Sequence, residues 1–212
     1  MSPWRVLILA YDGVEALDFA GPFEVFTTAS RVSQRMAPGA RPPFEVASVA
    51  HAPRGQSVQA RAGLRLLADH AIADNPPADV LIIPGGVVDA PMASADTLRW
   101  IANCAIDAQV VASVCTGVFL LAKSGVVTRE AVTTHWEDLA DLREQFPQLD
   151  VREDTRWVDS GRIVSSAGIS AGIDMSLHLV ERLAGRALAE RTARQMDYAW
   201  THNSSNPNNP SA

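Results

Sequence analysis

The sequence predicts an α/β protein with a doubly wound, mostly parallel sheet and helices on both faces. Short apolar runs alternate along the chain with longer segments whose apolar residues recur at helical spacing. Three of these runs, at residues 5–10, 80–83 and 110–114, are too short for helices and are typical of strands buried on both faces. Because helical segments separate these strands, the strands are expected to run parallel.

The first strand, at residues 5–10, is expected to lead through a loop at 11–17 into a helix. Phe19, Phe23 and Phe26 recur at helical spacing after this loop. Pro22 favours a position at the start of the helix, where the amide proton that proline lacks would be unpaired in any case. Asp18 is therefore expected in the loop just before the helix, at the sheet edge where open α/β sheets bind ligands.

The remaining segments complete this pattern. A second strand is expected at residues 44–49, and residues 57–69 are interpreted as two short strands that form a hairpin at a sheet edge. Another hairpin is expected within residues 151–164. Helices are expected where apolar residues recur every three to four positions, at 94–104, at 137–146, from Ser170 to the break at Gly185, and at 186–200. Residues 1–202 are expected to form one domain, and the polar residues 203–212 a disordered tail.

The composition argues against several classes of protein. Hydrophobic residues make up 47% of the 212 and charged residues 20%, which is typical of a folded protein with a sizeable core. The net charge of −6 argues against general nucleic-acid binding, and no apolar run approaches the roughly 18 residues that span a bilayer. The chain begins without the pattern of a secretory signal, and its two cysteines lack metal-ligand spacing. We therefore expect a cytoplasmic protein with no metal.

Cys115 is the first candidate functional residue. It follows the apolar strand at 110–114 directly and precedes a helical run, so it is expected on a sharp strand-to-helix turn. Free backbone N–H groups at a helix N-terminus lower a thiol pKa, which would make Cys115 a nucleophile near neutral pH. The alternative is a buried, inert cysteine. Asp18 and the pair Gly85-Gly86, which ends the strand at 80–83, are expected at the same sheet edge and favour the reactive interpretation.

Five motifs in this order resemble the DJ-1/PfpI superfamily, whose fold is flavodoxin-like. They are LDFAGPFEVF at 17–26, IIPGG at 82–86, SVCTG at 113–117, TTHW at 133–136 and SAGISAGIDMSLHLVE at 166–181. Within the superfamily, this combination is similar to isocyanide hydratases and to the amidotransferase-like ligand domains of AraC-type regulators.

The resemblance implies roles for individual residues. Cys115 matches the reactive cysteine, and Asp18 matches the carboxylate that contacts it in isocyanide hydratases. Gly86, beside Gly85, and Thr116 match positions whose backbone N–H groups form a pocket like an oxyanion hole. A threonine follows the cysteine where PfpI-type proteases carry a histidine, which argues against a Cys-His protease.

Two further residues are candidates for the same site. Ile169 either lines the pocket or serves close helix packing, and both interpretations remain open. His135, within the TTHW motif, is a candidate supporting residue that braces the site, and the alternative is a direct role as a catalytic base.

The resemblance implies an isocyanide hydratase that forms N-substituted formamides through a cysteine thioimidate. One alternative is a non-catalytic ligand-sensing domain related to AraC-type regulators, and another is a cysteine-dependent glyoxalase or stress protein of the DJ-1 type. A small-molecule substrate and a homodimer are expected on the same ground. No cofactor, nucleic-acid partner or membrane association is expected.

Overall fold

The structure is a computed structural model that describes residues 2–202, so the predicted tail at 203–212 lies outside the described residues. Eleven strands are present: β1 (Trp4–Ala10), β2 (Phe44–Ala50), β3 (Ser57–Gln59), β4 (Arg65–Leu67), β5 (His70–Ala71), β6 (Val80–Ile83), β7 (Val110–Val114), β8 (Ala131–Val132), β9 (Asp150–Val151), β10 (Trp157–Ser160) and β11 (Ile163–Ser166). Seven of them form the central sheet in the order β10-β11-β7-β6-β1-β2-β5. Only the β10–β11 pair in this sheet is antiparallel, so the predicted mostly parallel sheet is confirmed.

Helices flank this sheet, as predicted. They are α1 (Ala16–Met36), α2 (Asp89–Ala93), α3 (Ala95–Asp107), α4 (Gly117–Lys123), α5 (Leu139–Gln145), α6 (Ala171–Ala184) and α7 (Arg186–Gln195). Helices α1, α6 and α7 contact one another, and α2, α3 and α4 form a second group. Among residues 2–202, no helix has both the length and the apolar character needed to cross a membrane.

The core lies on both faces of the central strands. Every residue of β6 and of β7 is buried, as their largely apolar sequences predict, and this includes the polar Ser113 of β7. Burial of each large side chain there contributes roughly 1.5–3 kcal/mol relative to leaving it exposed. The two strands pair in parallel, with Ile82 opposite Ala112 and Ile83 opposite Ser113. Their carboxyl ends therefore reach the same edge of the sheet.

The start of α1 differs from the prediction. The helix begins at Ala16, so Asp18 lies in its first turn rather than in the preceding loop, and Pro22 lies inside the helix. A proline within a helix removes the hydrogen bond to the carbonyl four residues earlier, which here is that of Asp18. The other turns of this long helix retain their own hydrogen bonds, and its buried face still packs against the sheet. The helix therefore continues through the proline.

The predicted hairpin at 57–69 is present, but it does not lie at an edge of the central sheet. Strands β3 and β4 form a separate two-stranded antiparallel sheet. This sheet is joined to the loop after β1, because the Gly13 N–H donates to the Gln59 carbonyl at 2.8 Å and the Arg61 N–H donates to the Val14 carbonyl at 2.8 Å. The hairpin therefore helps to fix the loop that leads into Asp18.

The chain reverses its winding direction at the β1–β6 boundary. From β1 the sheet is extended on one side by β2 and β5, and on the other by β6, β7 and β11. Crevices at such a switch point, beyond the carboxyl ends of the strands, are the usual ligand sites of open α/β sheets. The segments that follow β1, β6 and β7 carry Asp18, the glycine pair and Cys115, respectively.

Candidate active site

Cys115 occupies a sharp turn between β7 and α4. Its backbone φ is 55°, a left-handed conformation that is uncommon for residues other than glycine. Hydrogen bonds hold both sides of this residue: its N–H donates to the Ser166 carbonyl at 3.1 Å, and its carbonyl accepts from Thr134 Oγ1 at 3.0 Å. Only 7% of Cys115 is exposed. The predicted strand-to-helix turn is confirmed, and β7, β11 and the segment after β8 all contribute to it.

Asp18 is fully buried beside this cysteine. Its Oδ2 accepts a hydrogen bond from the Gly85 N–H at 3.2 Å, whereas its Oδ1 makes no hydrogen bond within the described residues. The Cys115 side chain and the Ile169 backbone N–H also contact the carboxylate and act to lower its pKa. A buried carboxylate with a free oxygen is costly to ionise, because few groups replace the water it has lost.

The pKa values of Asp18 and Cys115 are both raised. Burial, followed by the negative charge of Glu15, raises the pKa of Asp18 to about 7. Burial, followed by the charge of Asp18, raises the pKa of the Cys115 thiol to about 12, and Asp138 adds to this effect. The Thr116 and Ile169 backbone N–H groups lower the thiol pKa, but by less. The expectation of a lowered thiol pKa is therefore wrong, because burial and nearby negative charge outweigh the amides of a short helix.

The glycine pair connects the loop after β6 to Asp18 and to the cysteine turn. The Gly85 N–H donates to Asp18, and the Gly86 N–H donates to Thr116 Oγ1 at 2.9 Å. Both amides are thus bonded within the protein, and the Gly86 amide would exchange its threonine partner on binding a ligand oxygen. A Cβ on Gly85 would lie 2.6 Å from Thr116 N, and one on Gly86 would overlap the Gly13 carbonyl. This close approach of backbone segments requires glycine.

A cavity of about 220 Å³ opens above the cysteine. It brings together five of the predicted residues with four charged side chains; the lining residues are Glu15, Arg61, Gly86, Cys115, Thr116, His135, Glu137, Asp138 and Ile169. Asp18 and Gly85, which are hydrogen-bonded to each other, are not among the lining residues. Ile169 is 41% exposed and has a left-handed φ of 52°. The structure therefore places Ile169 at the pocket.

His135 lies at the rim of this cavity and interacts with acidic groups. Its Nδ1 accepts from the Glu137 N–H at 3.3 Å and lies 3.5 Å from Asp138 Oδ2. The segment before α6 packs closely against the ring, since a Cβ on Gly168 would overlap the imidazole. His135 therefore lies at the cavity, and its supporting role stays a prediction.

Sequence reasoning missed several residues of the site. The Thr134 hydroxyl donates to the Cys115 carbonyl. Thr134 lies within the TTHW motif, but the motif alone does not indicate this contact. The Tyr11 hydroxyl donates to the Pro84 carbonyl at 3.0 Å, next to the glycine pair. Glu15 and Arg61 come from loops with no distinctive pattern, and they lie 3.8 Å apart at the cavity. Only their distances in the folded chain identify them.

A larger cavity lies elsewhere in the molecule. It has a volume of about 630 Å³, its lining includes His51 and Trp100, and it contains none of the predicted site residues. The smaller cavity is the candidate active site because Cys115, the predicted reactive residue, lines it. Residues 2–202 contain no group of three or more His, Cys, Asp or Glu side chains arranged to hold a metal ion.

Comparisons with known proteins show which family this chain resembles. Among curated proteins, the isonitrile hydratase of Pseudomonas putida is 31% identical over 196 residues, which cover 92% of this chain and 78% of that protein. The transcriptional regulator GbdR of Pseudomonas aeruginosa is 30% identical over 149 residues, or 70% of this chain, and the chain spans only 40% of the regulator's length.

Solved structures share the fold. A THiJ/PfpI family protein from Pseudomonas syringae superposes with a TM-score of 0.80 at 24% identity, covering 99% of this chain and 80% of that one. Drosophila melanogaster DJ-1beta superposes with a TM-score of 0.78 at 20% identity, covering 94% and 100%. The DJ-1/PfpI family profile matches residues 4–182. The chain therefore belongs to the DJ-1/PfpI family.

Proposed function

We propose that this protein is an isocyanide hydratase, which converts isocyanides and water to N-substituted formamides. The observation that carries the proposal is the buried Asp18 carboxyl beside Cys115, with a pKa of about 7. Such a group accepts a proton and returns it at neutral pH, which this reaction requires twice. The similarity to an isonitrile hydratase over 92% of the chain supports the same activity.

The first stage forms a covalent bond to sulfur. Ionised Asp18 takes the proton from the Cys115 thiol, whose raised pKa keeps it protonated before substrate binds. The thiolate attacks the terminal isocyanide carbon, forming a C–S bond, and the carboxyl returns the proton to that carbon. The product is a thioimidate, R–N=CH–S–Cys. The Thr116 and Ile169 amides face the sulfur and stabilise its developing charge.

The second stage hydrolyses the thioimidate. Water adds to the carbon, its oxygen forming the new C–O bond, and the nitrogen gains a proton. Collapse of the resulting tetrahedral adduct breaks the C–S bond, releases R–NH–CHO and returns the proton to the thiol. The balance is one isocyanide and one water consumed for one formamide, with no oxidation or reduction.

The test is formamide formation from cyclohexyl isocyanide, followed by NMR. We expect turnover by the protein, none by Cys115→Ala, and a loss of at least about 100-fold in Asp18→Asn, since a positioned acid–base group contributes about 10²–10⁴. Cys104→Ala is the matched control, because Cys104 is a buried cysteine on α3 outside the cavity. Formamide production by Cys115→Ala, or no production by the intact protein, contradicts the proposal.

A ligand-sensing role is the second candidate, and the similarity to the regulator GbdR over 70% of this chain favours it. A sensor would bind an isocyanide or another small molecule at the cavity without turning it over. Saturable quenching of tryptophan fluorescence without product would support this candidate. Glyoxalase activity with methylglyoxal, lost in Cys115→Ala, would instead indicate a protein of the DJ-1 type.

We further propose that the active form is a cytoplasmic homodimer. Four large apolar side chains on segments next to the cavity are between 47% and 73% exposed, and burial against a second copy would remove them from water: Leu64, Leu67, Val87 and Trp136. Light scattering should give twice the chain mass of 22.7 kDa. Leu67→Lys should shift the protein toward monomer, whereas Ile106→Lys, on α3, should not. A monomeric intact protein contradicts this proposal.

A further inference from the structure

An ion pair between a fully buried carboxylate and a partly exposed arginine lies at the start of α6, outside the candidate cavity. Asp174, in the first turn of the helix, is fully buried, and its Oδ2 accepts from Arg156 Nε at 2.5 Å. Arg156 Nη2 also lies 3.4 Å from Ser170 Oγ. Loss of Arg156 would be costly because it would leave the buried Asp174 carboxylate without its compensating charge. The first turn of α6 is therefore fastened to the segment that precedes β10.

The chain after α7 completes this arrangement. The Thr201 N–H donates to Asp174 Oδ1 at 2.9 Å, so both carboxylate oxygens are bonded. The Tyr198 hydroxyl lies 3.4 Å from the Ser170 carbonyl, and both Tyr198 and Trp200 pack against the hydrophobic core. Residues 196–202, which we call the C-terminal strap, thus cover the N-terminus of α6.

The fastened turn follows Ile169 directly. Ile169 has a left-handed φ of 52°, which is strained for a β-branched residue, and the Gly172 N–H donates back to its carbonyl at 3.2 Å. Ile169 and Cys115 line the same cavity, and the Ile169 backbone N–H acts to lower the pKa of both Cys115 and Asp18. A strained residue keeps its conformation only where its surroundings impose it. Arg156, Asp174 and the strap supply that restraint on the side of Ile169 away from the cavity.

We infer that Arg156, Asp174 and the C-terminal strap are positioning elements that hold the Ile169 amide toward Cys115 and Asp18. None of them touches the cavity, so they act through the first turn of α6. If the turn relaxes, the Ile169 N–H turns away and both ionised groups lose a donor. Cys115 then becomes less reactive at a given pH. The inference concerns thiol reactivity and holds whether or not isocyanide is the substrate.

The test measures alkylation of Cys115 by iodoacetamide as a function of pH in the full-length protein. Asp-N digestion separates Cys115 from Cys104 by cleaving at Asp107, so mass spectrometry quantifies each cysteine. Asp174→Asn removes the charge that Arg156 pairs with. Asp159→Asn is the matched control, because Asp159 binds His178 and Arg182 farther along the same helix. Circular dichroism checks that each variant is folded.

A second pair of variants keeps the test decisive if Asp174→Asn does not fold. Thr201→Pro removes the N–H that bonds Asp174 Oδ1, whereas Thr201→Ala keeps it. We expect Asp174→Asn and Thr201→Pro to react at least about threefold more slowly, because the thiolate fraction sets the rate. The inflection that Asp18 imposes on the pH profile should also move to higher pH. Asp159→Asn and Thr201→Ala should match the unaltered protein.

Three results would overturn the inference. Equal rates for Thr201→Pro and Thr201→Ala would show that the strap does not restrain the amide. Faster alkylation in Asp174→Asn or Thr201→Pro, with the inflection unmoved, would make the strap a steric cover instead. An equal loss in Asp159→Asn would reduce the effect to general loosening of α6. Formamide assays of the same variants are separate, so failure of the proposed hydratase activity leaves this test intact.

Discussion

Because the pKa of Asp18 is raised, the stability of the fold depends on pH, and a single substitution at Asp18 tests this dependence. The carboxyl has a pKa of about 7 in the folded protein, against the usual 3.8. Between these values the folded state holds a proton that the unfolded state releases, so stability falls as pH rises. A difference of about 3 pKa units at about 1.4 kcal/mol each amounts to about 4 kcal/mol, fully developed above about pH 7. Asp18→Asn removes this dependence, and its amide oxygen still accepts from the Gly85 N–H.

Urea unfolding at a series of pH values measures the effect. Relative to the unaltered protein, the free energy of unfolding of Asp18→Asn should be little changed near pH 4 and about 4 kcal/mol higher by about pH 8. Asp79→Asn is the control, because Arg5 holds the pKa of Asp79 below its usual value. The unfolding free energy that this variant loses should therefore stay constant between about pH 5 and pH 8. A constant difference between Asp18→Asn and the unaltered protein across this window would refute the raised pKa. The acid–base role assigned to Asp18 would fall with it.

Three further predictions concern turnover and the backbone. kcat/KM for an isocyanide should rise with pH to a plateau, with an apparent pKa near that of Asp18, about 7; a pH-independent rate would contradict its role as base. Gly86→Ala should cost about 3 kcal/mol in urea unfolding and abolish turnover because its Cβ would meet backbone. Gly161→Ala, in open space, should cost only about 1 kcal/mol; equal costs would contradict the role of close approach. Thr134→Val should lower kcat about tenfold, roughly the 1.4 kcal/mol of one lost hydrogen bond to the nucleophile's carbonyl. The Thr133 hydroxyl donates to the Arg152 carbonyl instead, so Thr133→Val should alter stability but not kcat. An equal loss of kcat in both variants would contradict the role assigned to Thr134.

The central strands could be predicted from sequence because burial on both faces constrains the residue type along the whole strand. The bounds predicted for β6 and β7 match the structure, because a strand buried on both faces is apolar at nearly every position. A helix was predicted at 94–104, and the polar Ser94 at its start is the N-cap of α3, where its Oγ accepts from the Thr97 N–H at 3.2 Å. The start of α1 was missed because Pro22 has a strong local preference, which packing of the whole helix outweighed.

The site was predicted in composition but not in electrostatics. Cys115 and Asp18 meet because the carboxyl ends of parallel strands share one sheet edge, a consequence of topology that the sequence pattern contains. The thiol pKa depends instead on how deeply α1 and α6 bury the pair and on Asp138, which arrives from another segment. Likewise, the Gly86 amide was assigned to a ligand, whereas the structure bonds it to the Thr116 side chain. Such distances arise only when the loops pack together.

Two neighbouring strands are each followed by a residue with a strained backbone, and this strain links the fold to the reactivity of the site. Cys115 follows β7, and Ile169 lies just beyond β11, which pairs in parallel with β7. Both are left-handed, at an expected cost of about 1–3 kcal/mol each, although glycine would adopt this backbone freely. Both residues line the cavity, where Cys115 is the proposed nucleophile and the Ile169 backbone N–H acts to lower the pKa of its thiol. The strain persists because Thr134, Ser166 and the ion-paired first turn of α6 hold the flanking peptides. These restraints therefore determine the orientation of the site's donors, and their loss should lower reactivity before it unfolds the sheet.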